Sequence, residues 1–128
     1  MNEKVKYWLD LSDYDYETAV AMQNSGRYLY VGFMCHQTIE KMLKAYFNSV
    51  NEEPAPYTHS LSYLAKKGGV YDSFSDEFKD FIDLLEPLNI ESRYPSHKEK
   101  LMQGLTKGRC EEILKNTKKL QLWIKAKL

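Results

Sequence analysis

The sequence predicts an all-α protein, an antiparallel up-and-down bundle of four main helices plus one or two short helices, in a single domain over residues 1–128. Three observations predict it. Apolar residues recur at three- and four-residue steps in each long segment, no stretch keeps the period of two that a strand requires, and the segments are separated by Gly, Asn and Pro. With 43% hydrophobic and 13% aromatic residues in 128, the chain has enough apolar surface to offset the entropy of ordering it.

The first helix is expected over residues 3–23, with Val5, Trp8, Tyr16, Ala19 and Met22 on one face and Ser12 and Asp15 filling a polar gap in it. Asn24, Ser25 and Gly26 should end it, because Asn and Gly accept the left-handed geometry of a helix C-terminus. A second helix over residues 27–50 should bury Leu29, Phe33, His36, Ile39 or Glu40, Leu43 and Phe47 along one side. Pro54 and Pro56 stop it. Leu61, Leu64 and Ala65 suggest a short third helix ended by Gly68 and Gly69. Ser73, three residues before Asp76, resembles a capping box for a helix carrying Phe74, Phe78, Phe81, Leu84 and Leu85, which Pro87 should end. Residues 89–104 contain Pro95 and mixed polar side chains and read as a loop with one extra turn. The last helix, residues 107–127, turns Cys110, Ile113, Leu114, Thr117, Leu120, Trp123 and Ile124 inward.

Charge and composition exclude several classes of function. No uncharged run exceeds that of residues 28–39, far short of the roughly 20 apolar residues of a membrane span. The N-terminal residues show no signal-peptide pattern, so a cytoplasmic location and no membrane association are expected. Cys35 and Cys110 lack metal or redox spacing and read as buried free thiols. The 18 Lys and Arg balance the 18 Asp and Glu, yet residues 1–92 carry a net −7 and residues 93–128 a net +7. Either the basic third attracts phosphate, or two oppositely charged parts of one bundle lie side by side. Motifs for a phosphate loop, a nucleophile elbow or a zinc protease are missing.

Two groups of residues could carry chemistry. Gln37, Glu40 and Lys44 share one helical stripe, either as a polar pocket or as a Glu40–Lys44 surface ion pair. His36 and Glu40 are one helical turn apart, but no further ligand has metal spacing, and neither a metal nor a cofactor is expected. His59 follows Thr58 at a helix start, where it would cap the helix or touch a substrate. Arg93, Tyr94 and His97 form the second group. A guanidinium and an imidazole that close can bind a phosphate and move a proton, the chemistry of metal-free RNA cleavage; alternatively Arg93 pairs with Asp15 or Glu40 and Tyr94 packs in the core.

Five segments in order resemble the HEPN family, the higher-eukaryote and prokaryote nucleotide-binding domain, over nearly the whole chain. Trp8, Leu9, Ser12, Asp15 and Ala19 are similar to its tryptophan-led A-x-x-D-x-x-x-A run, with Ser12 in place of the usual Ala. Gly26-Arg27-Tyr28 matches the G-x-Y turn, and the run from Gln37 through Glu40 and Lys41 to Lys44 matches Q-x-x-E-K-x-x-K. Thr58-His59-Ser60-Leu61 matches T-H-x-L, and Arg93-Tyr94-Pro95 matches R-Y-P. The resemblance implies a helical bundle, commonly a homodimer, whose polar groove collects Asp15, Gln37, Glu40, Lys44, His59, Arg93 and Tyr94 around a nucleotide or RNA phosphate. It also implies a nucleotidyltransferase or antitoxin-like partner, as in toxin–antitoxin pairs. The family's metal-independent endoribonucleases place four to six residues between Arg and His, whereas Arg93 and His97 enclose three. The resemblance is therefore to the R-Y-P branch, for which binding is implied, with cleavage by Arg93 and His97 as the alternative. A purely structural oligomeric bundle is the third reading.

Overall fold

A computed structural model describes residues 2–89 and 95–128, with the side chains of 95–97 outside the description. Among the described residues it contains six α-helices and no strand: α1 (Glu3–Asn24), α2 (Tyr28–Val50), α3 (Leu61–Gly68), α4 (Asp76–Leu85), α5 (Pro95–Gly104) and α6 (Lys107–Lys125), with 3-10 turns at Tyr71–Ser73 and Glu86–Leu88. No described helix is long and apolar enough to cross a membrane.

The breaks between helices have identifiable causes. Asn2 caps α1 by accepting from the Val5 N–H, and Gly26, at φ 75°, provides the left-handed turn into α2. Gly69 (φ 86°) does the same after α3. The tight first turn makes α1 and α2 an antiparallel hairpin, and hydrogen bonds tie its two arms together: Trp8 with Asn48 and Ser12 with the Thr38 carbonyl. Helix α6 lies against both arms. The Tyr16 hydroxyl donates to the Leu114 carbonyl of α6 at 3.2 Å, and the fully buried Cys35 and Cys110, both free thiols, belong to the core that α2 and α6 share. Burial pushes the Cys35 thiol up to about 12, so it stays protonated and inert.

The core runs along α2, which is buried on nearly every side from Cys35 to Ala45 rather than along one stripe. Leu29 and Phe33, expected inside, are only half-buried, while Val31 and Gly32 between them are buried. At Gly32 an added Cβ would meet Leu88 Cδ1 at 3.2 Å, so the small residue lets the Glu86–Leu88 turn and Leu105 approach α2. Around Trp123, Phe74 and Phe78 pack edge-on at 5.3 and 5.6 Å, closing α4 onto α6.

Three sequence expectations are corrected. Residues 95–104 form α5 instead of a loop, because Pro95 occupies the first helical position, where its missing N–H costs nothing. The cap of α4 is Ser75, which accepts from Phe78 N–H at 3.1 Å, since Ser73 is used by the preceding 3-10 turn. The cap of α3 is Ser60, accepting from Tyr63 N–H at 3.2 Å, which frees His59 from a capping role. The oppositely charged parts of the chain do lie side by side, with Lys119–Glu77 at 3.6 Å and Lys125–Asp13 at 3.8 Å.

Candidate functional site

The stripe of α2 that carries Gln37, Glu40 and Lys44 faces inward, so its charged groups are placed where burial makes each partner matter. Glu40 is 2% exposed. Its Oε2 lies 3.3 Å from Lys44 Nζ and its Oε1 2.8 Å from His59 Nδ1, so the Glu40–Lys44 pair is a buried one and not the surface pair that helical spacing also allowed. His59 comes from the segment between α2 and α3 that follows Pro54 and Pro56. Its side chain is 44% exposed, so the imidazole spans from the buried carboxylate to solvent. A carboxylate accepts only, so the His59 tautomer that donates to Glu40 is the one carrying its proton on Nδ1.

A second chain of contacts runs from Glu40 toward α1. His36 Nδ1 lies 4.0 Å from Glu40 Oε1, and Gln37 Nε2 lies 3.5 Å from the same His36 nitrogen. Lys41 Nζ donates to Gln37 Oε1 at 2.7 Å, which fixes the orientation of the amide, and to Asp15 Oδ2 at 3.2 Å. Burial lowers the His36 pKa to about 4, outweighing the pull of the Glu40 carboxylate, so the ring is neutral at pH 7. Burial also raises the Asp15 carboxyl above its ordinary value; the Lys41 ammonium opposes that shift, and the Glu40 charge adds to it.

The structure thus brings together five of the residues expected from sequence: Asp15, Gln37, Glu40, Lys44 and His59. Asp15 and Glu40 take Lys41, Lys44 and His59 as partners. Arg93, Tyr94 and the side chain of His97 lie outside the described residues. Lys41 and His36 join the network although the sequence pattern does not single them out as groove residues. Lys41 stands four residues after Gln37, a spacing that could have found it. At the far end, Lys44 Nζ sits 5.1 Å from the Trp8 ring, tying the ionic seam to an aromatic wall on α1. Among the described residues no group of three or more His, Cys, Asp or Glu could hold a metal ion.

An all-α bundle with an ionic seam inside its central helix is the class that fold and site define. The chain belongs to the HEPN domain family: the model of that family, described as HEPN domain, matches residues 5–127. Its fold is similar to that of the crystal structure of TT1696 from Thermus thermophilus, with a TM-score of 0.83, 19% identity, and coverage of 99% of this chain and 100% of that one. No curated protein matches the sequence.

Proposed function

We propose that this HEPN domain is a nucleotide- or RNA-phosphate-binding module, a homodimer that acts with a nucleotidyltransferase or antitoxin-like partner. The observation that carries the reading is the placement of Glu40. A nearly inaccessible carboxylate with a buried lysine and a half-exposed histidine costs stability relative to a well-packed apolar trio, so it points to a use beyond folding. Lys44 and His59 supply the groups that meet phosphate, Gln37 meets base or ribose, and Asp15 and Glu40 hold the cations in place. Arg93 and Tyr94 complete the groove in this reading. Exposed Tyr14 and Tyr30 leave aromatic surface for a second copy.

Binding of a fluorescein-labelled mixed-sequence single-stranded RNA and of AMP, measured across salt concentrations in excess EDTA, tests the proposal. Wild type should bind with an affinity that falls steeply with salt, and Glu40→Gln and Arg93→Ala should bind less. An affinity flat from low to high salt, or no binding, would overturn it. RNA cleaved by wild type and spared by an identically prepared Arg93→Ala protein would replace the binding module with an endoribonuclease that uses Arg93 and His97.

A further inference from the structure

The ionic seam ends against Trp8, and what surrounds that ring is organised in a way that folding alone does not require. Trp8 Nε1 donates to Asn48 Oδ1 at 3.1 Å, and the Tyr7 ring meets Trp8 edge-on at 5.0 Å with an interplanar angle of 76°. Asn48 is buried and is itself pinned, its Nδ2 donating to the Glu53 carbonyl at 2.6 Å and its carbonyl accepting from Asn2 Nδ2 at 3.2 Å. Trp8 is therefore held in one orientation by Asn48, Tyr7 and Lys44, yet it stays half-buried, and Tyr7 is 59% exposed.

Both rings wall an open cleft of about 350 Å³ with Pro54, Ala55 and Lys4, at the lower end of the range for small-ligand sites. Sharing Glu3, Lys4 and Asn48 with it, a second cleft of about 610 Å³ adds Asn2, Ser49 and Asn51. With Glu3, Lys4, Val50 and Glu52 also in its lining, this hollow continues the aromatic wall with a mixed set of amide, hydroxyl and charged side chains. The combination suits a ligand with a planar ring at one end and hydroxyls at the other.

We infer that the cleft walled by Tyr7 and Trp8 is the base subsite of this domain, taking the heteroaromatic ring of a nucleotide or of an unpaired RNA base stacked on Trp8. The inference rests on the nucleotide-binding reading and adds where the base goes. Lys44 touches Glu40 on one side and the Trp8 ring on the other, so Trp8 borders both the cleft and the ionic seam. Rigid aromatic rings suit this role, because every base has a π-face and a preoriented ring loses little freedom on stacking.

The chain has two tryptophans, and Trp123 sits in the phenylalanine cluster between α4 and α6, so in a Trp123→Phe protein all indole emission reports on Trp8. AMP and adenosine should quench that emission saturably, while ribose 5-phosphate should not. In equilibrium dialysis, Trp8→Leu should weaken AMP binding about tenfold or more, and Trp8→Phe by less, as expected for loss or reduction of one base–aromatic stack. Tyr7→Ala alters a side chain that is 59% exposed and should weaken AMP binding about threefold. AMP that binds with unchanged affinity to Trp8→Leu and Tyr7→Ala and leaves Trp8 emission unaltered would overturn the base subsite while leaving the nucleotide reading in place. Wild-type protein that retains neither AMP nor single-stranded RNA would overturn both.

Discussion

Two polar seams cross the interior of this bundle, and they are built on opposite principles. One joins α1, α2 and α6 mainly through neutral groups: the Ser12 hydroxyl donates to the Thr38 carbonyl at 2.7 Å, and Gln121 Nε2 donates to Ser12 Oγ and Asp13 Oδ1, both at 3.1 Å. Lys118 Nζ donates to Gln121 Oε1 at 3.1 Å, so both ends of the buried amide are satisfied. The other seam, from Asp15 to His59, is assembled from formal charges and opens to solvent at its histidine. A satisfied neutral seam fixes how helices register, whereas an ionic seam of equal burial keeps charge available at a considerable desolvation cost. The proposed binding role of the second seam would account for that difference.

The largest effect should follow from breaking the ionic seam on one side only. Glu40→Ala leaves Lys44 buried beside no counter-charge and should destabilise the protein by about 3 kcal/mol or more, read as a lowered urea midpoint. Glu40→Leu combined with Lys44→Met removes both charges and should return to within about 1 kcal/mol of wild type while RNA binding stays lost. A double variant as unstable as Glu40→Ala would show that the pair is there for folding, and the contrast between the seams would collapse.

Next in size is the response to pH. His36 titrates near 4 in the folded chain against about 6.5 unfolded, so between those values the unfolded state binds the extra proton. Stability should therefore hold above pH 6.5 and fall progressively toward pH 4, by about 3 kcal/mol at most from this one ring. The raised carboxyl of Asp15 acts in the opposite sense, binding its proton more readily when folded and offsetting part of the loss in the acid range. The slope of urea midpoints across this window should flatten in His36→Gln; an unchanged slope would place the titrating group elsewhere.

The neutral seam should respond less. Gln121→Ala removes a side chain only 1% exposed together with its hydrogen bonds to Ser12, Asp13 and Lys118, and should cost about 2 kcal/mol with RNA and AMP affinity unchanged. A loss of binding that matches the loss of stability would mean that the two seams are energetically one.

How much is legible in the sequence differs between the two seams. The ionic seam is visible because Gln37, Glu40 and Lys44 repeat at helical spacing on the most apolar helix, so three polar residues stand out against their background. Its burial is not legible, because an i, i+4 Glu–Lys pair reads the same on a surface. Spacing does not pair His59 with Glu40, which is 19 residues away and reached at 2.8 Å only through the chain reversal after Pro54 and Pro56; the T-H-x-L resemblance alone puts both in one groove. Gln121 escapes notice although it falls beside Thr117, Leu120 and Ile124, a position where a polar side chain should prompt a search for partners. In the fold, Gly26 and Gly69 are readable because only a left-handed turn uses them well. Pro95 misleads because proline stops a helix in its interior and starts one at its first position, and only context separates the two cases.

The smallest expected effect is also the most discriminating. Ser12 stands where the family commonly carries Ala, and its hydroxyl both donates to Thr38 and accepts from Gln121. Ser12→Ala should cost about 1 kcal/mol, because Gln121 keeps Asp13 and Lys118 as partners while the Thr38 carbonyl keeps its place in the helical ladder. If Ser12 and Gln121 act as a unit, Ser12→Ala combined with Gln121→Leu should be less destabilising than the sum of the two single changes, as a double-mutant cycle measures. Additive losses would mean that each hydrogen bond acts alone. A coupled result would show that the serine is there for the glutamine, a local repair of helix packing that leaves the ionic seam, and binding, untouched.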